Sequence, residues 1–88
     1  MKPLLADDAH HPDHEQARQW VRSGRILSLE RILAGHHRVL EGRILEVELE
    51  TKEGTLVYEV EVVDGQGRVM ELLFDAKTGQ LLKETQEE

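Results

Sequence analysis

The chain has 88 residues and no cysteine, which leaves room for one small domain and excludes disulfides, thiolate metal sites and cysteine nucleophiles. Hydrophobic residues make up 39% and charged residues 33%, too apolar a balance for a wholly disordered chain. The formal charge of -7 argues against nucleic acid as a partner, because that binding depends on neutralising phosphates with Lys and Arg.

The charge is unevenly placed. Six arginines against three glutamates give residues 14–43 a balance of +3, whereas twelve acids against four bases give residues 44–88 a balance of -8. No apolar run approaches the roughly 20 residues that span a bilayer as a helix. "MKPLLA" is too short for a signal-peptide core, although Pro-Leu-Leu-Ala ahead of Asp7 and Asp8 resembles the stub beside a signal cleavage site.

Residues 1–12 show no hydrophobic period and read as a flexible tail rich in His and Asp. His10, His11 and His14, with Asp7, Asp8 and Asp13 nearby, form the candidate metal set, suited to copper, zinc or nickel. Pro12 and a cap at Asp13 keep His10 and His11 off the helix that begins near His14, so the set is not held rigid.

A single domain is expected over residues 13–84. Asp13 caps a first helix, Gln16 stands at the capping-box position, Ala17, Trp20 and Val21 share a face, and Gly24 ends it. Arg18, Arg22 and Arg25 form a solvent-facing row that could meet the acidic half of another copy, giving a monomer or a weak homo-oligomer. In "ILSLERILAGHHRVLEG" Ser28 caps a second helix with Leu29, Ile32 and Leu33 as its apolar stripe and Leu27 and Ile32 as a staple. Gly35 weakens that helix, which is expected to fray before Gly42 resets the chain direction, with His36 a packed or edge histidine.

Beyond residue 42 the period becomes two. "RILEVELE" puts Leu45, Val47 and Leu49 inward and Glu46, Glu48 and Glu50 outward; "LVYEVEVV" puts Leu56, Tyr58, Val60 and Val62 inward and Glu59 and Glu61 outward. "RVMELLF" turns Met70, Leu72 and Phe74 in and Glu71 out, and Leu81 to Lys83 suffices for a short last strand, before a disordered acidic tail at 85–88. A turn at Lys52-Glu53-Gly54 suggests pairing Leu49 with Leu56, Val47 with Tyr58, Leu45 with Val60 and Glu46 with Glu59. Matching inward faces across Asp64 to Gly67 requires an odd-length loop or a bulge. The expected fold is α+β: one or two N-terminal helices packed on one face of an antiparallel meander of three long strands plus a short C-terminal one.

Lys77-Thr78-Gly79 matches a triplet found beside the nucleophile of β-lactamases. The chain has two serines, Ser23 and Ser28, and neither has a lysine three positions on, so the acylating set is missing. Asp75 and Gly79 instead suit a hairpin turn, the aspartate accepting backbone N–H groups and the glycine taking a left-handed conformation.

"LSLERIL", "GRILEVELE" and "YEVEVVDGQGRVMELLFDAKTGQLL" together resemble the PepSY domain over about residues 26–84, in the order helix, sheet and terminal Asp-x-x-Thr-Gly turn. Gly35-His36-His37 and Glu41, where relatives often carry proline, depart from the pattern. PepSY domains occur in propeptides of thermolysin-type metallopeptidases and in small exported or membrane-attached bacterial proteins. The resemblance implies a non-enzymatic, periplasmic or otherwise exported regulator of a peptidase or sensor protein, with no cofactor and no catalytic residues. Outward Glu46, Glu48, Glu59, Glu61 and Glu71 are the candidate partner-binding face, although any half-exposed sheet keeps polar residues there. An exposed strand edge is the other docking route. The alternative is a metal-responsive exported protein using the histidine tail.

Overall fold

A computed structural model describes residues 12–87. The expected tail, with His10 and His11, therefore lies outside the described residues except for Pro12.

Helix α1, His14–Arg22, starts where Asp13 accepts the Gln16 amide at 2.8 Å, satisfying one of the amide donors that a helix start leaves unpaired. It ends at Ser23, and Gly24 takes φ +81, the left-handed geometry that glycine adopts without a Cβ clash. Ser28 caps α2, Leu29–Leu33, by accepting the Arg31 amide at 3.2 Å. The expected long second helix is divided: the chain breaks at Gly35 and His36 and resumes as α3, His37–Leu40. His36 leaves helical geometry to reach the sheet, where its ring meets Phe74 edge-on at 4.9 Å and its Nε2 lies 3.2 Å from the Gly79 carbonyl.

Four strands follow in sequence order as an antiparallel meander: β1 Arg43–Lys52, β2 Thr55–Val63, β3 Val69–Asp75 and β4 Leu81–Glu87. The first turn is tighter than expected. Lys52 pairs with Thr55, leaving Glu53 (φ 53) and Gly54 (φ 81) as a two-residue connection, and two left-handed residues match the twist of the flanking strands. The register is consequently Leu49 with Tyr58, Val47 with Val60, Glu48 with Glu59 and Glu46 with Glu61, two residues away from the expected pairing. The second connection runs from Val63 to Val69 and is odd in length, as matching faces require. Asp64 organises it, accepting the amides of Gln66 and Arg68 at 2.9 Å and the Arg68 side chain at 2.8 Å. β4 continues through Glu87, paired residue by residue with β3 back to Val69. Thr85, Gln86 and Glu87 are thus strand rather than tail, because β3 offers them an unfilled ladder.

The helices and the sheet's inner face share one core: Ile26, Ile32, Leu33 and Val39 from above, Tyr58, Val60, Val62, Leu72 and Phe74 from below. Trp20 and Val21 of α1 pack at its margin, and Arg25 lies over the Trp20 ring at 5.1 Å. Tyr58 pins the two layers by donating to the Leu27 carbonyl at 2.7 Å, and burial pushes its hydroxyl pKa up.

The Asp75 to Gly79 turn belongs to this core. Asp75 accepts the amides of Lys77 (2.8 Å) and Thr78 (3.1 Å), Ala76 is buried between Leu56 and Leu27 through two backbone bonds, and Gly79 has φ 83. A Cβ on Gly79 would sit 3.4 Å from both Ile32 and Leu27. Gly79→Val should therefore cost roughly 1–2 kcal/mol through left-handed strain. Urea denaturation checks this, and an unchanged midpoint would contradict it.

Candidate functional site

Strand alternation places the two faces of the sheet in different environments. The inner face meets the helices; on the outer face the register lines up carboxylates across three strands. Glu46 stands opposite Glu61 and Glu61 opposite Glu71, while Glu48 stands opposite Glu59. All five candidate partner-binding residues are brought together on this one open face. Like charges directly opposed across a ladder are unfavourable, so the arrangement costs the fold stability.

The carboxyl groups register that cost. Glu59 is held above the ordinary glutamate range, first by a hydrogen bond shared with Glu50 and then by partial burial. Glu71 is raised first by hydrogen bonding to Glu59 and then by burial. Glu61 is raised by partial burial on the sheet, followed by Glu87. Lys52 pulls Glu59 and Glu71 the other way, as the smallest or nearly smallest influence on each.

Glu50 is the residue that pattern reading missed as part of the site. It points outward as expected but is only 3% exposed, opposite Val57, itself 2% exposed. One carboxylate oxygen from each of Glu48, Glu50 and Glu59 lies within 4.8 Å of the others, close enough to surround one positive group. The two-residue Glu53-Gly54 turn was the available signal, since that loop length alone sets Glu50 against Val57.

These shifts give the stability profile a definite sign. With folded pKa values above the unfolded value of about 4.5, Glu59 and Glu71 bind more protons in the native state, so stability is lost as pH rises through their folded pKa values. Asp64 is lowered below 3.8, chiefly by accepting the Arg68 amide, and its contribution is lost as pH falls below that value. The thermal midpoint should therefore rise as pH falls from 7 toward about 4.5 and drop again below about 3.8. Melts at constant ionic strength test this; a midpoint highest at pH 7 would contradict it, and Glu59→Gln with Glu71→Gln should flatten the neutral limb.

Elsewhere the candidate chemistry dissolves into structure. Ser28 caps α2, the Ser23 hydroxyl donates to the Trp20 carbonyl at 3.2 Å, and the Lys77 and Thr78 amides donate to Asp75, so Lys77-Thr78-Gly79 is part of a hairpin turn. Of the metal set, His14 is exposed at the first position of α1 and His10 and His11 lie outside the described residues. On the inner face an open groove of about 680 Å³ runs between α3 and the β3–β4 half of the sheet, with Val62, Met70 and Leu72 at its base. No helix among the described residues is long and apolar enough to cross a membrane.

Two layers, short helices over a four-stranded meander with one face left open and acidic, define a small α+β module. The chain belongs to the PepSY family: the model for the peptidase propeptide and YPEB domain matches residues 26–85. This is a family associated with peptidase propeptides, whose members are protein-interacting modules. No curated protein and no solved structure shows significant similarity to the chain.

Proposed function

We propose that this protein is a non-enzymatic regulatory module of an exported compartment, which binds a peptidase or a sensor protein through its acidic sheet face. The observation that carries the reading is the opposition of Glu46, Glu61 and Glu71, and of Glu48 and Glu59, across adjacent strands. A fold that retains repelling carboxylates gains most when a basic surface arrives, because the same charges then attract the partner from a distance and are relieved on contact. Family membership supports the class of partner.

The test is a titration of the labelled protein with exported peptidases and sensor ectodomains, following amide shifts. Binding should move resonances of Glu46, Glu48, Glu59, Glu61 and Glu71 and should weaken at least tenfold in the Glu59→Gln, Glu61→Gln, Glu71→Gln variant. Binding that ignores both this variant and salt would remove the acidic face from the account.

A further inference from the structure

We propose that the free edge of β1 accepts an added strand in which basic and apolar residues alternate; this deepens the acidic-face reading and rests on it. β1 is an outermost strand, and none of the backbone hydrogen bonds outside the ladders involves residues 43–52. One row of its amides and carbonyls thus has no strand partner among the described residues, a ready template for another extended segment.

The two sheet edges differ in their protection. β4 exposes one large apolar side chain, Leu82 (47%), but at a bulge and beside exposed Lys83, Glu84, Thr85 and Gln86, the irregular and charged features that discourage strand addition. β1 has its irregularity at Leu45, near its start, which leaves Glu46 to Lys52 in regular register. It also exposes Ile44 (39%), Leu45 (47%) and Val47 (40%), apolar surface that the short helices do not reach.

Side-chain alternation dictates the occupant. A strand laid along this edge would set one face beside Glu46 and Glu48 and the other beside Val47 and Leu49, with Glu50 itself buried. Neighbouring strands bring such side chains within roughly 5 Å, where opposite charges attract and apolar pairs pack. Lys or Arg at every second position, with Val, Ile or Leu between, satisfies both faces. A second copy of β1 does not: antiparallel pairing centred on Val47 or Glu48 sets glutamate against glutamate.

A blocked eight-residue peptide alternating Lys and Val, compared with a peptide of four Lys followed by four Val, separates strand addition from charge attraction. The alternating peptide should bind at least tenfold more tightly and protect amides of Glu46 to Leu49, but none in β4, from hydrogen exchange. Val47→Lys should weaken it at least tenfold with the melting temperature retained. Glu46→Lys combined with Glu48→Lys should transfer the preference to a peptide alternating Glu and Val. Equal binding of the two lysine peptides, with shifts at Glu59, Glu61 and Glu71 and no β1 protection, would overturn strand addition while leaving the acidic-face reading standing. Binding of neither lysine peptide would overturn both. Protection of β1 that grows with protein concentration alone would assign the edge to a second copy and overturn the proposal.

Discussion

Phe74→Ala is expected to lower the thermal midpoint by about 12 °C or more, corresponding to about 3–5 kcal/mol. Phe74 is fully buried on β3, and it joins three parts of the molecule: the inner sheet face, Ile32 and Leu33 in the shared core, and the His36 ring at 4.9 Å. Truncation leaves a cavity that Val60, the adjacent fully buried side chain, cannot close without moving its own strand. His36 loses its ring contact as well, and with it the support for the break between α2 and α3. Phe74→Leu retains most of the volume and should cost less than about 1.5 kcal/mol. Calorimetry or circular dichroism melts of the two variants give the comparison. A shift below about 4 °C for Phe74→Ala would mean that this side chain does not hold the layers together.

Gly42→Ala is the second large effect. A Cβ at this position would lie 2.6 Å from the Val63 carbonyl oxygen and 2.9 Å from a Val62 methyl, and the nearer obstacle is backbone that cannot rotate away. Relief requires β1 to separate from β2 at the Arg43–Val63 pair, so the cost should reach the upper part of the roughly 1–3 kcal/mol range for overpacking. Gly35→Ala is the matched control: its Cβ would meet nothing closer than 3.6 Å, and its φ is not in the left-handed region. That change should be neutral or stabilising by a few tenths of a kcal/mol. Urea denaturation of both variants checks the contrast, and equal midpoints would show that the contact at Gly42 yields without cost.

Both changes bear on the candidate site. Gly42 sets where β1 begins and so how its exposed edge meets the sheet, while Phe74 holds the inner face whose outer counterpart carries the carboxylates. Loss of partner binding in either variant should follow loss of folding, in contrast to the glutamine variants of the outer face, which keep the core intact.

Much of the architecture was legible in the residues themselves. Asp13 and Ser28 cap helices because their short side chains reach back to unpaired amides, and Asp75 and Gly79 make a turn because one accepts N–H groups and the other tolerates positive φ. The alternation of glutamate with Val, Leu and Tyr in β1 and β2 separated an acidic face from a buried one. His36 was legible as a packed or edge residue and Gly35 as a weak point in the helix, though not the full break that lets His36 reach Phe74 and Gly79.

The misreadings arise where backbone geometry or packing overrides the preference of the residue type. The register of β1 moved by two residues because Glu53 adopts a left-handed conformation that its residue type does not favour, and only strand pairing on both sides enforces it. Leu45, expected inward, is the unpaired bulge residue of β1, and Val47 keeps the inward alternation; both stay exposed, since burial also needs a covering layer and the helices end short of this edge. Glu50 obeys the outward alternation and is nevertheless buried, opposite the equally buried Val57. The chain alone determined where the first two helices start, where the three long strands run and where they turn, and that one face would be acidic, because capping, periodicity and turn chemistry act over a few residues. Only the tertiary structure decided which carboxylates confront one another and which apolar side chains remain uncovered, because both follow from register and from the reach of a packed layer.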